Sequence, residues 1–123
     1  MLEDGDFGLG ESFAILRYIL DSWSDVPETY WPKDIKKRAA IDEILAFASM
    51  SLSKAYGGIY YPTMIAPTWR GAPYPTAEEK QKIDQDFKLQ LDNLTKYLVH
   101  FGGPYLTGEH YTPADSTAFA FMN

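Results

Sequence analysis

The sequence predicts a mainly α-helical fold opened by a short β-hairpin. Three observations carry this. Asp4-Gly5 is a two-residue hairpin turn signal between short apolar stubs. Apolar residues recur at helical spacing over long stretches, first from Ile41 and again from Ile83. Two capping boxes, Thr76–Glu79 and Thr112–Asp115, mark helix starts. The chain has 123 residues, one domain's worth and enough to bury a core.

Phe7-Gly8-Leu9 is the strand leaving the turn, and the strand entering it is only Met1-Leu2. An isolated hairpin is marginal in water, so this pair reads as a sheet edge cut from its sheet. Helix one is expected from Phe13 to Trp23, with Leu16, Ile19, Leu20 and Trp23 as its apolar stripe. Ser12 is its natural N-cap. A helix start has free N–H groups and the positive end of the macrodipole, so it attracts carboxylates. Glu11 stands beside it and suits an ammonium group. Together they offer a place for the zwitterionic end of an amino acid, although from these two residues alone capping by Ser12 and surface exposure of Glu11 are the more ordinary explanation.

Asp25-Val26-Pro27 ends helix one. Residues 25–31 are a linker. Helix two is expected from near Pro32, with Ile41, Ile44, Leu45, Ala48, Leu52, Ala55 and Ile59 on one face. Gly57-Gly58 weakens its end and Pro62 stops it. Pro62 to Pro75 is a proline-rich loop, and the aromatics in and beside it, Tyr60, Tyr61, Trp69 and Tyr74, are assigned to packing rather than to a substrate lid. Helix three follows from Thr76, with Ile83, Phe87, Leu91, Leu94, Leu98 and Phe101 inward, and Gly102-Gly103-Pro104 ends it. Helix four starts at Thr112-Pro113-Ala114-Asp115 and is still apolar where the sequence stops, a second sign of a cut chain.

A net charge of −6 disfavours nucleic acid or an anionic membrane as partner. Without cysteine there is no disulfide frame, thiolate metal site or cysteine nucleophile within these residues. His100 and His110 lack partners at metal-ligand spacing and read as surface residues. Lys36-Lys37-Arg38 reads as a solvated helix face. Thr112 and Asp115 are assigned to folding.

The order of these words resembles the glutathione transferase family. The run Asp4 to Ile19, with Glu11-Ser12 at its centre, is similar to the end of that family's thioredoxin-like glutathione-binding domain. Tyr30-Trp31-Pro32-Lys33-Asp34 and Arg38-Ala39-Ala40-Ile41-Asp42-Glu43 are similar to the opening of its helical domain, with wording of the theta-like branch. Phe101 to Asp115 is similar to its late capping motif. The resemblance implies a remnant β-hairpin and helix of a thioredoxin-like domain (1–24), the linker, and a truncated all-helical domain (32–123).

It also implies a reaction in which the glutathione thiolate attacks an electrophilic apolar substrate, as in detoxification. Ser12 would bind the γ-glutamyl carboxylate and Glu11 its ammonium group. Asp42 would reach the same ammonium group from the neighbouring subunit of a homodimer, its rival role being an i, i+4 pair with Arg38. Phe47, Met50 and Ser51 would line the apolar substrate pocket. The resemblance implies a cytoplasmic enzyme with glutathione as co-substrate, no other cofactor and no metal. The family's activating Ser, Tyr or Cys lies in an earlier strand–helix unit, expected before Met1, so no catalytic residue is assigned. The fragment is expected to be inactive alone. The alternative is a non-catalytic protein-interaction module of the same fold. One departure stands out. Ser116 is polar where an apolar residue would clasp Tyr111.

Overall fold

The computed structural model describes residues 1–122. Strands β1 (Leu2–Asp4) and β2 (Phe7–Leu9) pair antiparallel, with Leu2 opposite Leu9 and Asp4 opposite Phe7. The turn is therefore Gly5-Asp6, one residue later than the sequence suggested. Gly5 takes φ 62° at the first central position, which Gly fills without strain and Asp would not. Tyr18 fastens this ribbon to the next helix. Its hydroxyl donates to Asp4 Oδ2 at 2.6 Å and its ring lies 5.3 Å from Phe7.

Helix α1 (Ser12–Ser22) turns Phe13, Leu16 and Leu20 toward the core. Trp23, expected on that stripe, is 67% exposed. It follows the last helical residue in an extended conformation, so the helical period no longer aims it. A turn closed by Tyr30 and Trp31 N–H bonds to Pro27 O then buries Trp31. Helix α2 (Ile35–Phe47) begins three residues after Pro32, because Asp34 caps it. One Asp34 oxygen accepts from Lys36 N and Lys37 N, both at 3.0 Å.

Pro62 does not end the helical run. A π turn (Ala48–Leu52) leads into α3 (Ser53–Tyr60), and a second π turn (Tyr61–Ile65) leads into α4 (Ala66–Arg70). The wider π spacing accommodates a proline that lacks the N–H of an α-helical bond. The true stop is Gly71, left-handed at φ 63°, with Ala72 N–H returning to Ala66 O at 3.1 Å. The expected loop thus shrinks to residues 71–76, and its aromatics divide: Tyr60 stacks on Tyr56 at 5.6 Å and Tyr61 lies under Arg70 at 5.7 Å, whereas Trp69 and Tyr74 are not packed. Trp69 is 80% and Tyr74 70% exposed, since the extra helix carries Trp69 on its outer face.

Helix α5 (Ala77–Phe101), roughly 37 Å long, starts at the expected box. Thr76 N donates to Glu79 Oε2 at 2.9 Å, and Glu79 N to Thr76 Oγ1 at 3.3 Å. Its stripe faces inward from Phe87 on, with Leu94 buried and Phe87, Leu91, Leu98 and Phe101 packed on the core, while Ile83 lines a cavity with Met50 and Ser51. Helix α6 (Pro113–Ala120) lies against α2 and the π turn after it, where Ala114, Ala118 and Ala48 are fully buried and let the backbones approach. Ile41, Ile44, Leu45, Leu52 and Leu106 complete the core.

The loop before α6 is tied down by Asp115. Its carboxylate accepts from Leu106 N (2.8 Å), Thr112 N (2.8 Å) and Thr112 Oγ1 (3.1 Å). Gly103 must be glycine, because a Cβ there would overlap the backbone of Gly108. The apolar clasp at the start of α6 is replaced by a polar one: the Tyr111 and Ser116 hydroxyls share a 2.8 Å hydrogen bond.

Candidate functional site

The hairpin delivers the chain to α1 through Glu11. This residue has φ 58° and ψ 117°, and among the described residues it is the one non-glycine with positive φ. Such a conformation costs about 1–3 kcal/mol and persists where surrounding structure imposes it. Glu11 therefore occupies the N-cap position itself, and its side chain makes no capping bond. Ser12, expected as the cap, is the first helical residue. Among the described residues no side chain caps the leading N–H groups of α1, whose first intrahelical bond is Ile15 N to Glu11 O at 3.0 Å. Glu11 and Ser12 are both exposed. The result is an open, positively polarised helix end with a carboxylate beside it, able to hold an anionic and a cationic group side by side. Ser12 also borders a charge-free cavity of about 360 Å³ between α1 and α6, lined by Phe13, Leu16, Tyr30 and Phe121.

Asp42, on α2, pairs with Arg17 of α1 at 3.4 Å, its side chain 30% exposed. The local pair with Arg38 is not made. Arg38 instead reaches Asp21 at 2.8 Å, donates through Nε to Pro32 O at 3.0 Å, and lies 3.7 Å over the Trp31 ring. It is thus not part of a solvated face, as the basic run suggested, while Lys36 and Lys37 are exposed. Trp31 Nε1 donates to the same Asp21 oxygen at 2.7 Å. Burial works against the Asp21 charge, but the hydrogen bonds from Trp31 and Arg38, with the charges of Arg38 and Arg17, outweigh it and hold the carboxyl below its ordinary range. Sequence reasoning missed this cluster. Its one local signal is an acid in the last turn of a helix, against the macrodipole.

The three residues read as a substrate pocket divide. Met50 and Ser51 border a cavity of about 500 Å³ between α3 and α5, shared with Lys54, Asp86 and Gln90. Phe47 packs edge-on against Tyr97 at 5.6 Å and joins the core. Burial, and then the charge of Glu43, push the Tyr97 hydroxyl up. His100 and His110 are exposed. Among the described residues no three His, Asp or Glu side chains stand close enough to hold a metal ion.

A β-hairpin leading through a strained acidic residue into an uncapped helix, with a helical bundle built on that helix, defines the class: a helical domain carrying the closing elements of a thioredoxin-like fold. No protein-family model matches the chain. Glutathione S-transferase theta-3 of Mus musculus is 31% identical over 120 residues, 95% of this chain and 47% of its own length. Glutathione S-transferase theta-1 of Homo sapiens is 34% identical over 118 residues, 95% of this chain and 48% of its own. Among solved structures, human glutathione-S-transferase T1-1 in its apo form superposes with a TM-score of 0.86 at 30% identity, over 98% of this chain and 49% of that one. A human theta-class glutathione transferase in complex with the glutathione conjugate of 1-menaphthyl sulfate superposes with a TM-score of 0.82 at 26% identity, over 98% of this chain and 48% of that one. The chain spans about half the length of the curated relatives it matches. Across that half it is similar in sequence and in structure to theta-class glutathione S-transferases.

Proposed function

We propose that the chain supplies the γ-glutamyl end of a glutathione site in a transferase that joins the glutathione thiolate to small apolar electrophiles. The observation that carries this is the α1 start, where strained Glu11 stands beside the open N–H groups of Ser12 and the residues after it. In this reading Ser12 binds the carboxylate through hydroxyl and backbone N–H, and Glu11 binds the ammonium group. Asp42 contributes from a second copy in a homodimer, and Met50 and Ser51 border the acceptor pocket. Residues 1–24 form the glutathione-binding part and 32–123 the helical part. The reading places the protein in the cytoplasm. Among the described residues no helix is long and apolar enough to cross a membrane. The similarity to a relative solved with a glutathione conjugate supports the reading. The exposed Met64, Trp69 and Tyr74 favour a second one, a non-catalytic interaction module.

Calorimetric titration of glutathione tests the first reading. Ser12→Ala removes one charge-assisted hydrogen bond, so affinity falls by about 1.5–3 kcal/mol, roughly ten- to hundredfold. Equal affinity of the variant and the parent chain would overturn the assignment of Ser12.

A further inference from the structure

The proposed ligand groups sit on two elements, Glu11 and Ser12 at the start of α1 and Asp42 on α2. Because Asp42 serves the site of the second copy, the two halves of each site keep their relation only if α1 is fixed against α2 within each chain. In the element-to-element packing of the molecule, α1 has few partners, and none of its residues is fully buried. Apolar contact from Phe13, Leu16 and Leu20 gives it a seat but little directional constraint, because burial is non-directional.

Direction comes from Asp21. One carboxylate oxygen, Oδ1, receives the indole N–H of Trp31 at 2.7 Å and the guanidinium of Arg38 at 2.8 Å. Trp31 belongs to the segment between the helices and is 4% exposed, so its ring cannot shift without disturbing the core. Arg38 is one turn into α2. Its guanidinium is held from three sides, by Asp21, by Pro32 O and by the Trp31 face. The end of α1, the connecting segment and the start of α2 thus meet at a single atom. An acid in the last turn opposes the helix dipole, so Asp21 serves this junction rather than its own helix. The pair Arg17–Asp42, also between α1 and α2, is longer at 3.4 Å and more exposed on the arginine side.

We infer that Asp21 is a positioning residue: through Trp31 and Arg38 it sets the orientation of α1 on α2, and thereby the placement of Glu11-Ser12 relative to the helix whose Asp42 serves the second copy. The functional part of this rests on the glutathione reading above; the geometric part does not. Arg38 is not replaceable by lysine here, since an ammonium cannot donate to two fixed acceptors while stacking flat on an indole.

The absence of cysteine permits a direct test. Spin labels on the 123-residue chain at Ala14→Cys in α1 and Ala39→Cys in α2, both exposed positions, report the distance between the helices by pulsed electron resonance. The parent background gives one narrow distance distribution. Asp21→Ala broadens it at least twofold with helical circular dichroism unchanged, and Arg38→Lys broadens it in the same sense. Asp21→Asn keeps the acceptor oxygen without the charge and serves if Asp21→Ala does not fold; it gives an intermediate width. An unchanged distribution in the folded Asp21 variants would overturn the inference. Glutathione titration separates it from the functional reading. A parent chain that binds no glutathione but whose distribution responds to Asp21 refutes the glutathione reading alone. A parent that binds, with an Asp21→Ala variant of unaltered affinity and unaltered distribution, refutes the positioning role alone.

Discussion

At the scale of the residue, the decisive feature is a backbone angle. Glu11 was legible in the sequence as an acid beside a helix start, but its positive φ was not, because glutamate ordinarily avoids that region. The same angle moves the N-cap from Ser12 to Glu11 and leaves the helix end open. Asp21 shows the opposite lesson. Nothing in its neighbourhood along the chain announces that Trp31 and Arg38, ten and seventeen residues away, converge on it. Its consequence is a pH dependence with a definite sign. The folded chain holds Asp21 below its ordinary carboxyl range. The junction's stabilising effect is therefore complete above the ordinary value, about 3.9, and is lost as pH falls through the lower folded value. Glu79, held down by its bonds from the Thr76 backbone and hydroxyl, adds to the same acid limb. Thermal midpoints measured from pH 7 to pH 2 should fall more steeply for the parent than for Asp21→Asn. Parallel curves would show that Asp21 adds nothing to the acid limb.

At the scale of the element, the helix starts marked by capping boxes were readable and the helix stops less so. Thr76–Glu79 and Thr112–Asp115 are local, so their chemistry is written in four consecutive residues. Pro62 looked like a stop because a proline breaks an α-helical bond, yet a π turn routes the chain past it and Gly71 ends the run instead. The late start of α2 is also local chemistry, but Pro32 and Asp34 compete for the role and only the cap geometry decides between them. The two boxes differ in what else they hold. Thr76→Ala removes an exposed cap and should cost about 1 kcal/mol. Asp115→Ala also strands the N–H groups of Leu106 and Thr112 in a part-buried site, at about 1–3 kcal/mol for each buried donor left unpaired. Urea unfolding of both variants checks this. Equal losses would mean that Asp115 does no more than cap.

At the scale of the whole molecule, helical periodicity and turn chemistry were sufficient to read a hairpin, a first helix and a helical bundle in the right order. The site was only half legible. Candidate residues could be proposed from their order along the chain, but the pairing of Asp42 with Arg17, the withdrawal of Phe47 into the core and the charge-free cavity beside Ser12 are properties of packing. The central claim is that the opening of α1 receives the γ-glutamyl group. Titration of glutathione into the ¹⁵N-labelled chain, followed by amide chemical shifts, tests it most directly. Saturable shifts concentrated at Glu11, Ser12 and Phe13 are the predicted result. Saturable shifts centred elsewhere, or none at these three amides, would contradict it.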